Sequence, residues 1–290
     1  MIAAPTLIPT GPPPRQQRIV DDWQLLAADC DENTLPGGVP PPARETLLTW
    51  NAVVPGGVKF VLSPERRVCL RAELPCTEGR AVPAAAVAVE AGFAEAQRLW
   101  RQVDVTPRAA PLPPTAALPA QLVQACTETG WTVNMRADDT LVVDLDVPGG
   151  HWPAHLFSLT SNETLVLVEL ATISAGSTAS REAIAILLLL AGGVLRWVRP
   201  AVRTIGDRCV AVFEVLLPTA PTAANLVDAL CGLSLASRWC AAEANALLDE
   251  PVAQECLRVM APVSVPNRNR QTKEEIPWYK STPSVSPRAM

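Results

Sequence analysis

The stretch that decides the fold runs from Ala185 to Pro218. It opens with Ala-Ile-Leu-Leu-Leu-Leu-Ala-Gly-Gly (residues 185–193) and closes with Val-Ala-Val-Phe-Glu-Val-Leu-Leu-Pro (residues 210–218). The opening run is aliphatic on every side, which predicts a buried helix that a Ser180 cap begins and the two glycines end. The closing run places alternate residues on one face, as in a strand. Together they predict a helix, strands over 194–199 and 208–217, and a long helix from Thr222 to the residue before Pro251.

On the N-terminal side of this stretch the pattern predicts an antiparallel meander. A helix over 118–129 is followed by runs in which apolar and polar residues alternate, beginning near residues 131, 141, 155 and 164. Turn residues such as Ala137-Asp138-Asp139 separate the runs. We therefore expect this second unit, residues 116–261, to follow the order α-β-β-β-β-α-β-β-α.

The first part of the chain repeats the later half of the second unit. Leu-Leu-Thr-Trp-Asn (47–51) leads through Pro-Gly-Gly-Val (55–58) into Val-Cys-Leu-Arg-Ala-Glu-Leu-Pro (68–75), and then into a helix. The closing helices of the two units share a register in which Gly92 corresponds to Gly232. We expect the first unit, residues 15–105, to follow a shorter order, α-α-β-β-α, without the opening meander. Both units then have an antiparallel sheet packed against helices, which is the α+β class.

Clusters of proline mark where packed structure is expected to stop. They divide the chain into a proline-rich N-terminal segment (1–14), the first unit, a proline-rich linker (106–119), the second unit and a flexible C-terminal tail (262–290). The linker favours an extended connection, because proline cannot extend a helix.

Composition excludes several functional classes. The chain has 290 residues, of which 49% are hydrophobic, and a net charge of -5. That balance argues against a nucleic-acid ligand and against an anionic membrane surface. The longest apolar run, 183–195, is shorter than the roughly 20 residues a membrane span needs. We expect no membrane insertion, a cytoplasmic location, and eight cysteines that remain reduced, since no Cys-x-x-Cys pair occurs.

These motifs resemble a known family. The aliphatic helix over 185–190, the strand end Glu-Val-Leu-Leu-Pro (214–218) and the long helix after it are similar to the type III secretion chaperone-like (CesT/YbjN-like) fold, and Leu-Arg-Ala-Glu-Leu-Pro (70–75) resembles the same strand end. The resemblance implies a bacterial chaperone-like protein, with dimer-like packing around the middle helix and exposed apolar strips that hold an extended client segment. Members of the family are single modules that act as homodimers. The tandem arrangement here implies either an intramolecular pseudo-dimer or a homodimer.

Two residue pairs have the spacing of chemical sites. His151 and His155, the only two histidines, would share a metal if they lay one helical turn apart, but Pro153 between them argues against a helix. Asp144 and Asp146 project from one strand face, as a two-carboxylate site requires, but a solvated strand face has the same spacing. Because no third ligand or partner base accompanies either pair, we expect no metal, no cofactor and no catalytic residue.

Tryptophan is the residue type that points to binding. The chain has eight tryptophans and one tyrosine, and tryptophan is enriched both in cores and at binding hot spots. On a strand whose edge is free for pairing, Trp197 would alternate with Arg196 and Arg199. We expect core packing for Trp50, Trp100, Trp131 and Trp239, and partner contacts for Trp152 and Trp197.

The C-terminal tail contains one aromatic cluster, Ile276-Pro277-Trp278-Tyr279-Lys280. Ile276, Trp278 and Tyr279 are expected to form a docking peptide that binds a partner or folds back on its own module. The predicted function is a non-enzymatic adaptor or chaperone-like protein that holds a segment of another polypeptide. The alternative is a structural or accessory subunit held in an assembly through its proline-rich ends and aromatic tail.

Overall fold

The computed structural model describes residues 16–20, 23–30, 43–77, 80–81, 83–101, 109–135, 140–147, 150–161, 163–173, 177–218 and 221–260. Helices and largely antiparallel sheets make up these residues, which confirms the predicted α+β class. The predicted N-terminal segment, the tail from 262 and the first residues of the linker lie outside the described residues.

The first unit is built on a five-stranded sheet. Its elements are β1 (Gln16–Val20), β2 (Trp23–Asp29), α1 (Arg44–Asn51), β3 (Lys59–Leu62), β4 (Val68–Thr77), β5 (Arg80–Ala81) and α2 (Pro83–Trp100). The strand order is β1-β2-β4-β3, with β5 paired to β4. The expected order α-α-β-β-α is wrong at its start, since a β1–β2 hairpin stands there. The helix-forming Leu and Ala residues of β2 are held in a strand by pairing with β4, with Leu26 and Ala28 buried on one face.

The second unit is built on a seven-stranded sheet with strand order β6-β11-β12-β10-β9-β8-β7. Its order matches the predicted one, with β6 added before it and a short helix, α6, after it. The elements are β6 (Ala110–Pro111), α3 (Ala120–Glu128), β7 (Thr132–Met135), β8 (Leu141–Val147), β9 (Gly150–Ser158), β10 (Glu163–Thr172), α4 (Thr178–Val194), β11 (Arg199–Ile205), β12 (Arg208–Pro218), α5 (Ala223–Ala246) and α6 (Glu250–Met260). The strand β6 comes from the predicted linker and pairs in parallel with β11.

The glycines predicted to end the middle helix have a different role. The helix α4 continues to Val194, and β11 begins only at Arg199. A Cβ atom on Gly192 would lie 2.8 Å from the Pro200 ring, and one on Gly193 would lie 2.5 Å from the Leu62 carbonyl oxygen of the first unit. These glycines therefore allow α4 to approach both β11 and β3 closely, and the strand predicted over 194–199 is mostly a loop.

The two units pack on each other through reciprocal contacts. The helix α1 of the first unit packs on β11 of the second, α4 packs on β3 of the first, and the two helices touch each other. One hydrophobic cluster includes Leu47 and Phe60 from the first unit and Leu188 and Val202 from the second. The predicted division at the linker therefore crosses a continuous core.

Basic side chains from β3 and β4 of the first unit hydrogen-bond to the end of α4 and the loop after it. Lys59 is fully buried, forms an ion pair with Glu73 at 3.0 Å and donates hydrogen bonds to the carbonyl oxygens of Leu195 (2.9 Å) and Val198 (3.0 Å). Burial lowers the pKa of Lys59, an effect that Glu73 opposes. Arg71 donates to the Gly193 carbonyl in the same region. The first unit thus binds the C-terminal end of α4, where the helix dipole favours a cation.

Basic side chains of the second unit hold the loop after α1 of the first unit in an equivalent way. Arg199, the first residue of β11, is buried, pairs with Glu214 and donates to the Val54 carbonyl in the loop after α1. Arg203 contacts the same carboxylate at 2.5 Å and donates to the Ala52 carbonyl at 3.0 Å. Burial raises the pKa of Glu214, but the two guanidinium groups outweigh it and hold the pKa below its ordinary value. Each unit therefore anchors the loop that follows the other unit's middle helix.

Candidate functional site

An open apolar groove lies between α5 and the loop that joins α4 to β11. We call it the Trp197 groove; its volume is about 410 Å³ and it is lined by Val194, Leu195, Arg196, Trp197, Asp228, Gly232, Leu235 and Trp239. The exposed fractions of Val194, Leu235 and Trp239 are 70%, 41% and 51%. Large apolar side chains with this much exposure on one contiguous surface are typical of a binding site.

Trp197 occupies a strained turn at this groove. Its φ of +64° is left-handed, a conformation that L-residues with large side chains rarely adopt. The amide of Val198 donates to the Arg196 carbonyl oxygen at 2.7 Å, which is the hydrogen bond of a γ-turn centred on Trp197. A bulky residue in such a turn costs on the order of 1–3 kcal/mol.

The buried Lys59 of the first unit holds this turn in place. Its two acceptor carbonyls, on Leu195 and Val198, lie on either side of the turn. Strained backbone persists when surrounding contacts fix it on several sides, and here an ion-paired ammonium does so. The packing of the two units therefore determines the geometry of the groove.

The structure corrects two predictions about tryptophans. Trp197 does not alternate with Arg199 on a strand edge; it lies in the loop before β11, and Arg199 is buried. Trp239, expected in the core, is half exposed in the groove. It lies on the opposite side of α5 from the buried stripe of Leu226, Leu230, Leu233 and Cys240, so its helical position was the signal for exposure.

The remaining tryptophan predictions have mixed outcomes. Burial is confirmed for Trp50, whose ring is tilted against Phe60, and for Trp100, which stacks on Phe60. Trp131 is half-buried against the same core. Trp152, expected to contact a partner, is half-buried on β9 and packs on the core, and it does not line the Trp197 groove. Ile276, Trp278 and Tyr279 lie outside the described residues.

The two candidate chemical pairs lie on β8 and β9, which are neighbouring inner strands of the large sheet. His151 and His155 both lie on β9, four residues apart and thus separated by about 13 Å along a strand, too far to bind one metal ion. Asp144 accepts a hydrogen bond from Asn134 at 2.8 Å and lies 3.7 Å from His151. The side chain of Asp146 lies outside the described part of the chain. Within the described residues, no three His, Cys, Asp or Glu side chains are grouped as metal ligands.

Three of the described cysteines have the environments of structural thiols. Cys69, Cys126 and Cys240 are buried, Cys231 is exposed, and Cys30, Cys209 and Cys256 are half-buried. Burial raises the pKa of Cys126 and of Cys240 to about 11, so both thiols are protonated at neutral pH. Buried neutral thiols of this kind pack as small apolar groups.

Comparisons with known proteins gave no matching family model, no similar curated protein and no similar solved structure. Among the described helices, none is long and apolar enough to cross a membrane.

Proposed function

We propose that this chain is a non-enzymatic adaptor or chaperone-like protein that holds an apolar segment of a partner polypeptide in the Trp197 groove. The observation that carries the proposal is the strained turn at Trp197. In the first unit a glycine, Gly57, lies two residues before the strand as Trp197 does, with a φ of +69°. The half-buried Trp197 side chain packs on the core and also lines the groove. A costly conformation that presents a large aromatic side chain at an open groove is typical of ligand contact sites.

The shape of the groove favours a polypeptide segment with several apolar side chains as the ligand. Its length follows α5 from Asp228 to Trp239, about 16 Å along the helix axis. Val194 and Trp239 are each more than half exposed, so the groove is open along its length. Apolar anchors spaced along an extended or helical segment fit such a surface.

The predicted resemblance to type III secretion chaperone-like proteins supports the same function. The reciprocal packing of α1 on β11 and of α4 on β3 agrees with a pseudo-dimer of two modules in one chain. In that family, exposed apolar strips hold client segments, and the Trp197 groove would be such a strip.

The proposal is tested by peptide display with the full chain as bait, followed by affinity measurement on synthetic versions of the enriched peptides. We expect Trp197→Gly and Leu235→Asp each to raise the Kd at least about tenfold, which is about 1.4 kcal/mol. Peptides that bind both variants as tightly as the wild-type chain would refute the groove as the binding site.

A matched control separates the groove from general surface hydrophobicity. Val194 in the groove and Val87 on α2 have nearly the same exposed fraction, 70% and 71%. Val194→Asp is expected to raise the Kd of the selected peptides, whereas Val87→Asp leaves it unchanged. Equal effects of the two substitutions would indicate non-specific adhesion.

The alternative function, a structural subunit held through its proline-rich ends and aromatic tail, depends on segments 1–14 and 262–290. Both lie outside the described residues, so this alternative remains a prediction from the sequence.

A further inference from the structure

We infer that the C-terminal segment Ile276–Lys280 of this same chain docks in the Trp197 groove and competes there with the partner polypeptide. The inference rests on the proposed function of the groove and adds its regulation.

The last helix packs against α4, the helix whose C-terminal end reaches the groove. Leu257 and Met260 of α6 line a depression together with Glu182 and Ile186 of α4. The same helix α4 carries Val194 of the groove, and Ile186 and Val194 are about 12 Å apart along its axis. The helix α4 therefore runs from beside Met260, where the tail begins, to the proposed docking site.

The tail is long enough to cover this path. Residues 261–275 separate Met260 from Ile276, and a chain of that length reaches about 50 Å when fully extended. Its average end-to-end distance as a flexible chain is about 20 Å. The average reach thus exceeds the 12 Å separation along α4 without requiring full extension.

The chemistry of the segment matches the lining of the groove. Ile276, Trp278 and Tyr279 supply apolar and aromatic surface, and Tyr279 is the only tyrosine of the chain. Pro277, which precedes the two aromatic residues, favours an extended backbone, which aromatic-lined grooves recognise. Glu275 precedes the segment and Lys280 ends it, and the groove carries one charge of each sign, Arg196 and Asp228.

Tethering makes even a weak interaction sufficient. A short flexible linker gives an effective concentration on the order of 1 mM. A segment with an intrinsic Kd of about 0.1 mM would then fill the groove about 90% of the time and weaken partner binding about tenfold. The tail would thereby exclude weak apolar partners and admit only those with higher affinity.

The first experiment measures trypsin cleavage after Lys280 in the full-length chain, from the initial rate at which the product 1–280 forms before cleavage after Arg268, Arg270 or Lys273 removes the tether. We expect slow cleavage of the wild-type chain and of the control Val87→Asp, and about tenfold faster cleavage of Leu235→Asp and of Val194→Asp. Circular dichroism establishes that each variant is folded. Equal rates in all four chains would overturn the inference, as would protection that increases with protein concentration, because the tail would then bind another copy.

The second experiment separates this inference from the proposed function. A double substitution, Trp278→Ala with Tyr279→Ala, is expected to lower the Kd of the display-selected peptides about tenfold. An unchanged Kd, with binding still dependent on Trp197, would refute docking of the tail and leave the proposed function standing. If selected peptides bind without dependence on Trp197, the proposed function itself fails.

Discussion

A loop follows the middle helix in each unit, at 52–58 in the first and at 195–198 in the second. The two loops pack differently against the neighbouring helix. In the first unit a Cβ atom on Gly92 would lie 2.3 Å from the Pro55 carbonyl oxygen, so the loop rests directly on α2. In the second unit the nearest atom to a Cβ on Gly232 is Val198 Cγ2, at 3.2 Å. The first loop closes the surface that the second leaves open as the Trp197 groove.

The helices differ in the same way at this surface. Three residues beyond the corresponding glycine, α2 has Glu95, which forms an exposed ion pair with Arg98, whereas α5 has Leu235. The surface between this loop and the helix is therefore polar and closed in the first unit, whereas in the second unit it is apolar and open. The two units therefore contribute differently to this region: the first holds the turn at Trp197 through Lys59, and the second carries the open groove.

The largest expected effect comes from breaking the charged network that joins the units. Glu214→Ala leaves Arg199 and Arg203 buried without a counter-ion, and we expect a loss of about 3–5 kcal/mol in the free energy of unfolding. Urea denaturation followed by circular dichroism measures it. The control Glu169→Ala, which removes an exposed pair with Arg208, should cost less than about 1 kcal/mol. Similar losses in the two variants would mean that the buried network does not hold the units together.

A smaller effect is expected from filling the two corresponding glycines. Gly92→Ala forces the loop away from α2 and should destabilise the fold by about 1–3 kcal/mol. A Cβ atom from Gly232→Ala would meet the Val198 side chain at 3.2 Å and the Arg196 carbonyl oxygen at 3.9 Å, and the substitution gains helix propensity of about 1 kcal/mol, so its net effect should be near zero. Denaturant midpoints of the two variants test the difference between closed and open packing, and equal midpoints would contradict it.

The smallest effect concerns the left-handed turn itself. Gly57→Ala should cost about 1 kcal/mol, because its φ of +69° suits glycine and open space surrounds the position. Trp197→Gly should leave stability within about 1 kcal/mol, since relief of strain offsets lost packing. Thermal unfolding of both variants provides the measurement. A large loss for Trp197→Gly, comparable with the roughly 3–5 kcal/mol expected for Trp50→Ala, would show that Trp197 serves the core instead.

Local sequence signals predicted the second unit well and the first unit incompletely. Alternation and turn chemistry located the strands around residues 141–147 and 208–217, because buried faces require period-two patterns. The hairpin of β1 and β2 was missed, since Leu25, Leu26, Ala27 and Ala28 favour a helix until β4 pairs with them. The pattern predicted that the two glycines of α4 end the helix, because their close approach to the first unit is a long-range contact that no local signal shows.

The candidate site was predicted only in part. The sequence singled out Trp197 as a contact residue, but it assigned Trp239 to the core and did not single out Val194 and Leu235. An apolar residue on a helix has no local feature that distinguishes a covered face from an exposed one. The groove exists because the loop after α4 leaves part of α5 uncovered. That arrangement depends on how β3, the loop after α4 and α5 pack together.

The sequence by itself determined the α+β class, the repeat of helix, strand pair and helix, and the position of the long amphipathic helix, because periodicity and turn residues act over short distances. Tertiary structure alone decided that Lys59 of one unit fixes a turn in the other and that the groove stays open beside α5. Those features depend on contacts between residues more than 130 positions apart in the chain, such as Lys59 with Leu195, |i−j| = 136, for which no local pattern exists.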